Sequence, residues 1–243
     1  MTTSTIPLYV GFDQREACVF HVFNQSVIQN ATQPVSFFPL AKNLLHFDGQ
    51  QDGTNAFIYS RYLVPLLQDY KGWAIFADGD MHVNGDISEL WDLRDDKYAV
   101  MVAKHDYKTC SDRKYIGSPI ENDNVNYKCK NWSSVMLFNC GHRSNKILTR
   151  QYVAESGPLI HRFNWLNDYE IGNLPFEWNH LDTEYAWNPH AKLVHQTLGT
   201  PAFQHYAKCD SAGQWYRYLW DALEIIGERP YDIIHRATWN KAA

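Results

Sequence analysis

GWAIFADGD, residues 72–80, is the stretch on which the reading of this chain turns. Trp73 to Ala77 are apolar without alternation, as in a strand covered on both faces of a sheet. The run stops at Asp78-Gly79-Asp80. Asp-Gly favours turns, so the plain reading is a solvated turn. Placed at the end of a buried strand, however, two carboxylates two residues apart gather negative charge beside a dry sheet. A divalent cation is the natural partner for such a pair, because hard oxygen ligands suit Mg²⁺ or Mn²⁺. Both readings stand on these residues alone.

Working outward, IPLYVGF (6–12) reads as another buried strand. After Asp13 comes a helical pattern, with Val19, Val22, Phe23 and Val27 on one face. Residues 34–40 read as a strand. Thr54 is placed to cap a helix carrying Phe57, Ile58, Arg61 and Tyr62, which Pro65 kinks or ends. ISELWDL (87–93) is helix-like, 97–103 and 133–138 read as strands, and 192–195 as one more. From Gln214 the tail is helical in pattern and rich in Trp and Tyr. Residues 105–131 are polar and without period, a length of irregular chain that marks a functional loop or lid. Strands alternating with helices predict an α/β sheet with a mainly parallel core, whose ligands bind beyond the carboxyl ends of strands. Asp13, Asp78 and Asp80 all fall at such ends.

The 243 residues suit a single domain, 1–243, with a core of about 7–206 and a C-terminal helical segment, 207–243. Twenty-two basic against 27 acidic residues leave a net charge of −5, which argues against nucleic-acid binding. No run is long and apolar enough for a membrane span, and the N-terminus lacks the pattern of a signal peptide. The five cysteines are odd in number and have no CxxC spacing, so a reduced, cytoplasmic setting is expected. A zinc site drawn from Cys110, Cys129, Cys140 and His142 matches no standard spacing.

Several motifs in order along 7–206 resemble the GT-A-fold glycosyltransferases, most nearly glycosyltransferase family 8, the glycogenin and bacterial galactosyltransferase group. They are YVGFDQRE (9–16), YSRYLVPLL (59–67), FADGDMHVNGDISELWDL (76–93), WSSVMLFNCG (132–141), WLNDYEIGNLPFEWN (165–179) and LVHQTLG (193–199). The resemblance implies a GT-A, Rossmann-like fold and transfer of a sugar from a nucleotide-sugar donor, a UDP-sugar, with retention. It implies Mn²⁺ (or Mg²⁺) held by Asp78, Asp80 and His195. It assigns donor binding to Val10, Gly11, Asp13, Tyr59, Arg61, Asp78, Gly79 and Gly199. Asp168 would lie near the reacting carbon, and Asn131, Trp132, Ser133 and Glu170 would touch the sugar or a glycan, lipid-glycan or protein acceptor. Two departures stand out. The family's Asn-Ser-Gly is Trp132-Ser133-Ser134 here, with Asn131 one place early. The Lys-Pro-Trp that follows the late His is replaced by Thr200-Pro201-Ala202-Phe203, which leaves Lys208 as a weak candidate for the diphosphate.

Each residue also has an ordinary explanation. Asp13 would cap the helix after it. Arg61 would be half of a surface ion pair. His195 would be a hydrogen-bonded structural residue. Asp168 and Glu170 would be loop carboxylates. Trp132 and Trp178 would fill the core. Two rival functions remain at this level, an inactive nucleotide- or glycan-binding module and a sugar nucleotidyltransferase; the latter class carries a Gly-rich phosphate loop, of which only Gly11 is present. The donor sugar, the acceptor and the oligomeric state are not encoded in these motifs.

Overall fold

The computed structural model describes residues 5–45, 47 and 55–223. β1 (Ile6–Phe12) leads through a 3-10 turn into α1 (Ala17–Asn30), β2 (Val35–Ala41) and the single turn α2 (Lys42–Leu45). A 3-10 segment, Ser60–Leu63, passes into α3 (Val64–Leu67), then β3 (Trp73–Ala77), β4 (Met81–Val83), α4 (Ile87–Trp91) and β5 (Val100–Val102). The two-residue strands β6 (Arg113–Lys114) and β7 (Asn122–Asp123) lie inside the long polar segment. Beyond it come β8 (Val135–Asn139), α5 (Arg150–Ser156), β9 (Ile171–Asn173), β10 (His180–Leu181), β11 (Leu193–His195) and α6 (Ala212–Ala222).

Six strands form the main sheet in the order β2-β1-β3-β8-β5-β9, and β10-β11-β4 form a smaller one. β8 runs antiparallel to both of its neighbours, and the other pairings in the main sheet are parallel. A mostly parallel sheet flanked by helices is the α/β architecture that the sequence predicts. The reversal of β8 has a topological cause. The chain leaves β5 at its carboxyl end, stays there through the polar segment, and re-enters the sheet without crossing back. The turn before β8 is thereby delivered to the end of β3, where the Asp78 amide donates to the Ser134 carbonyl at 2.9 Å.

Side-chain alternation divides the core between the two faces of the sheet. Leu8, Val10, Ile75 and Ala77 pack with Phe23 and Val27 of α1, while Tyr9, Ala74 and Phe76 pack with Tyr62 and Leu63. The expected helix after Asp13 is α1, with Val19, Val22, Phe23 and Val27 buried as the pattern requires. The expected helix does not form as such: Phe57 and Ile58 lie in turns and Arg61 and Tyr62 in the 3-10 segment, so Pro65 does not end a helix there. It sits in the first turn of α3, where its missing N–H costs nothing. Thr54 lies outside the described residues, as does the tail beyond Leu223. α6 docks onto α1 through Trp215 and Tyr218, and the Tyr218 hydroxyl donates to the Val83 carbonyl at 2.9 Å. No helix among the described residues is long and apolar enough to cross a membrane.

Candidate active site

The floor of the site is where β3 stops. Asp78 and Asp80 are buried there, and β11, paired antiparallel with β4, brings His195 opposite Met81. One ligand atom from each of Asp78, Asp80 and His195 falls within 4.8 Å of the others. Gly79 is required between the acids, since a Cβ there would stand 2.5 Å from the Gly11 carbonyl oxygen.

The orientation of the His195 ring follows from its neighbours. Asn179 spends both amide protons, donating to the Asn131 carbonyl at 3.0 Å and the Ser134 hydroxyl at 2.9 Å. Its Oδ1 therefore faces His195 Nδ1 at 3.2 Å and accepts that proton. Nε2 is left with a bare lone pair, 3.5 Å from Asp80 Oδ1. Asp80 Oδ1 is buried without a hydrogen-bond donor, and Asp78 Oδ1 has only its ion pair with Arg61. Buried acceptors are rarely left so. Two carboxylates and a neutral imidazole whose other nitrogen is held by an amide are the donor set of a divalent cation. The residues fit that group.

Arg61 lies between the Phe57 and Phe76 rings, with Nη1 donating to the Ser133 carbonyl at 2.9 Å and 2.8 Å from Asp78 Oδ1. Burial pushes the Asp78 carboxyl up to about 6, repulsion from Asp80 adding to it and Arg61 opposing it. Burial acts on Asp80 in the same direction, but His195 when protonated, Lys114 and Arg61 oppose it and hold the carboxyl below the ordinary range.

A cleft of about 370 Å³ opens above this floor. Its wall is the 105–131 segment, which contributes Lys114, Tyr115, Asn122 to Val125, Tyr127 and Lys130. The segment is pinned in place. The Tyr115 amide donates to the Leu198 carbonyl at 2.7 Å, and Glu184 accepts from the Thr109 hydroxyl at 2.6 Å and the Cys110 amide at 2.8 Å. Lys130 Nζ is held by Asn124 Oδ1 and the Val125 carbonyl, at 2.6 and 2.8 Å.

Of the residues singled out in the sequence, Arg61, Asp78, Asp80, Asn131, Ser133 and His195 line this cleft. Asn131, in a left-handed conformation with φ 62°, donates to the Tyr107 and Thr197 hydroxyls. Asp13 does cap the 3-10 turn before α1; it accepts from Arg15 and from the Ala56 amide. With Gly11, Gly79 and Asp80 it lines a narrow notch beside the cleft.

The other assignments meet a different geometry. Val10 and Tyr59 are buried in the core behind the cleft. The absent side chain of Gly11 makes room for the Phe57 ring, and that of Gly199 (φ 152°) for Tyr206. Trp132 borders a second hollow, with His105, Tyr107 and Cys129, and donates to the His105 carbonyl at 2.7 Å. Glu170 is buried and consumed in a capping box with Asn167 and a bond from Ser144. Asp168 is exposed on the same 3-10 turn and does not line the cleft. Trp178 is core. Lys208 is exposed, away from the cleft. The four drawn zinc ligands do not assemble; among the described residues the Asp78, Asp80, His195 group is the metal-type cluster found. Sequence reading missed Asn179 and Lys114. Neither belongs to a periodic pattern, and their positions exist only once β10, β11 and the polar segment have folded together.

The comparisons with known proteins agree with this architecture. The chain is 39% identical over 221 residues to Protein CDI of Arabidopsis thaliana, covering 86% of this chain and 83% of that protein. Among solved structures, the glycosyltransferase GlyE of Streptococcus pneumoniae TIGR4 superposes with a TM-score of 0.59 at 14% identity, over 98% of this chain and 64% of GlyE. The galactosyltransferase LgtC, solved with donor and acceptor sugar analogues, gives 0.56 at 12%, over 91% and 98%. The bifunctional glycosyltransferase WbbM gives 0.56 at 14%, over 95% of this chain and 51% of WbbM. The chain thus spans about half of WbbM and a little under two thirds of GlyE. At such identities these likenesses speak for the fold. A sequence profile does more: that of Glycosyl transferase family 8 matches residues 12–208, from the end of β1 to beyond β11, and this chain belongs to that family and is a glycosyltransferase.

Proposed function

We propose that the chain transfers a sugar from a UDP-sugar to an acceptor hydroxyl, with retention of anomeric configuration, at a divalent cation held by Asp78, Asp80 and His195. The observation that carries this reading is His195 Nε2, its ring held at Nδ1 by Asn179, turned toward two buried carboxylates, of which Asp80 Oδ1 has no hydrogen-bond donor. Mn²⁺ is favoured over Mg²⁺ because an imidazole is one of the ligands. When bound, the cation supplies Lewis-acid stabilisation of the departing diphosphate.

The protein's own groups do the rest. Arg61, gripped between two rings, holds a fixed positive charge against the floor. The notch by Asp13 and Gly79 adjoins the floor at Asp80 and is the place assigned to the nucleoside end. The bond broken joins the anomeric carbon to the diphosphate oxygen, and the bond formed joins that carbon to the acceptor oxygen. The acceptor proton leaves with the diphosphate. Among the described residues, the carboxylates lining the cleft are Asp78 and Asp80, which belong to the cluster, and Asp123, paired with Arg113 at the rim. A covalent sugar–enzyme intermediate thus lacks a placed nucleophile, and attack from the face of the departing diphosphate is the route we favour. Asp168 would have to move with its turn to take part. The free cysteines support a reducing, cytoplasmic setting.

A panel of nucleotide sugars, assayed with Mn²⁺ for release of the nucleoside diphosphate and with proton NMR of the first-formed anomer, tests the reading. We expect a UDP-sugar to turn over with retention. Turnover equal in chelator, or an inverted anomer, overturns it.

A further inference from the structure

We propose that Lys114 is a diphosphate-binding residue of this enzyme, its ammonium reaching from the loop wall to the donor oxygens that the floor cannot neutralise. The inference rests on the reading of the cleft as a nucleotide-sugar site and names a residue that grips the donor there.

Three observations carry it. First, Lys114 lines the cleft with Asp78, Asp80, Arg61 and His195, yet its ammonium makes no hydrogen bond or close ion pair among the described residues. The other cations there are differently placed. Arg61 is engaged by Asp78 and Ser133, Lys130 by Asn124 and Val125, and Arg162 is exposed at the rim. An ammonium is a compact, strongly hydrated charge, and one half-buried beside two carboxylates in a cleft calls for oxygen ligands. Burial lowers the Lys114 ammonium from its ordinary range, while Asp80 and Asp78 pull it back toward the charged form.

Second, the backbone around Lys114 is fixed. It lies in the β6–β7 ladder opposite Asn122, and the next two amides donate to the Leu198 carbonyl and the Tyr206 hydroxyl, at 2.7 and 3.2 Å. The side chain is therefore aimed by a clamped strand, which lowers the ordering cost of holding a ligand.

Third, the charges leave a gap. Two carboxylates and Arg61 sum to one negative charge, and a divalent cation turns this to one positive. A sugar diphosphate diester brings two negatives and leaves the site one negative, which grows by another as the sugar departs. Counting the floor groups alone, Lys114 offsets the remaining negative charge and opposes the charge that builds on the leaving group. The segment after β11 offers no cation for this. It reads Thr200-Pro201-Ala202-Phe203, and Lys208 is exposed outside the cleft.

Calorimetry of UDP, UMP and uridine against the wild-type chain and Lys114→Met and Lys114→Arg variants, all with Mn²⁺, tests the assignment. Lys114→Met should weaken UDP roughly ten- to hundredfold, as for loss of a charge-assisted contact, weaken UMP less, and leave uridine and Mn²⁺ affinity alone. Lys114→Arg should recover most of the UDP affinity. Its slope of log affinity against log salt should match the wild type, and that of Lys114→Met should be shallower. Equal UDP affinity in wild type and Lys114→Met overturns the role of Lys114 while leaving the nucleotide-sugar reading intact. A wild-type chain that does not bind UDP with Mn²⁺ overturns both. Uniform loss for UDP, UMP and uridine in both variants, with a lowered Tm, would make Lys114 a structural residue and also overturn the assignment.

Discussion

The floor and the wall of the cleft are built by different means. The floor is set by strand pairing: β3, β4, β8 and β11 deliver Asp78, Asp80, Ser134 and His195 to one place, and a closed chain of hydrogen bonds through Asn179 aims the imidazole. The wall is an excursion with only β6 and β7 for regular structure, held by single bonds such as those to Glu184 and Leu198. A group on the floor can move only if the sheet moves. A group on the wall can be exchanged or repositioned at the cost of a few hydrogen bonds. The chemistry common to the family would sit on the first, and what distinguishes this chain on the second.

Removing a ligand from the floor is the harshest test of that contrast. Asp80→Asn or His195→Ala should lower transfer on the order of 10³-fold with the fold intact; steady-state assays at saturating Mn²⁺ that find normal turnover would sink the floor's role. Next comes the aiming residue. Asn179→Ala should weaken Mn²⁺ affinity about 10- to 100-fold, as for other outer-shell partners, while Asn179→Asp keeps the acceptor for Nδ1–H and loses less. Manganese titration followed by electron paramagnetic resonance reads this directly, and equal affinity in all three proteins would show that Asn179 only packs.

On the wall the effect should be smaller and local. Glu184→Gln keeps shape but weakens two bonds, so hydrogen exchange across 109–126 should quicken while β3 and β8 stay protected. Equal quickening in both regions would mean the wall is as integral to the fold as the floor. The smallest change is expected at Asp168. Exposed and outside the cleft, it should tolerate Asn with turnover within a few-fold. A fall on the order of 10²-fold would bring its turn into the active site and reopen a covalent route.

The same contrast explains what could be read from the sequence. β1 and β3 announced themselves because strands covered on both faces are apolar without interruption, and α1 because its buried residues repeat at helical spacing. The acids at the end of β3 were legible as a pair, since they are adjacent in the chain. His195 was not; one histidine among eleven has no pattern, and only resemblance singled it out. Direction was also hidden. Nothing in VMLFN distinguishes a parallel from an antiparallel β8, because both are fully covered. The three-residue β9 and β4 are too short to show a period. Glu170 and Trp178 were plausible ligand contacts by residue type, but their partners, Ser144 and Asn167 for one and the sheet core for the other, are known only from tertiary structure. Lys114 lies in the least periodic part of the chain, where position depends on what the loop is pinned to.

The claim on which the rest depends is that Asp78, Asp80 and His195 hold a divalent cation that in turn holds the nucleotide. Titration calorimetry of UDP into the wild-type chain, with Mn²⁺ and again with excess chelator, addresses it without needing the donor sugar or the acceptor. The account predicts binding with Mn²⁺ and a loss of at least about 10²-fold in chelator, restored by adding the metal back. Equal affinity in both conditions would contradict it.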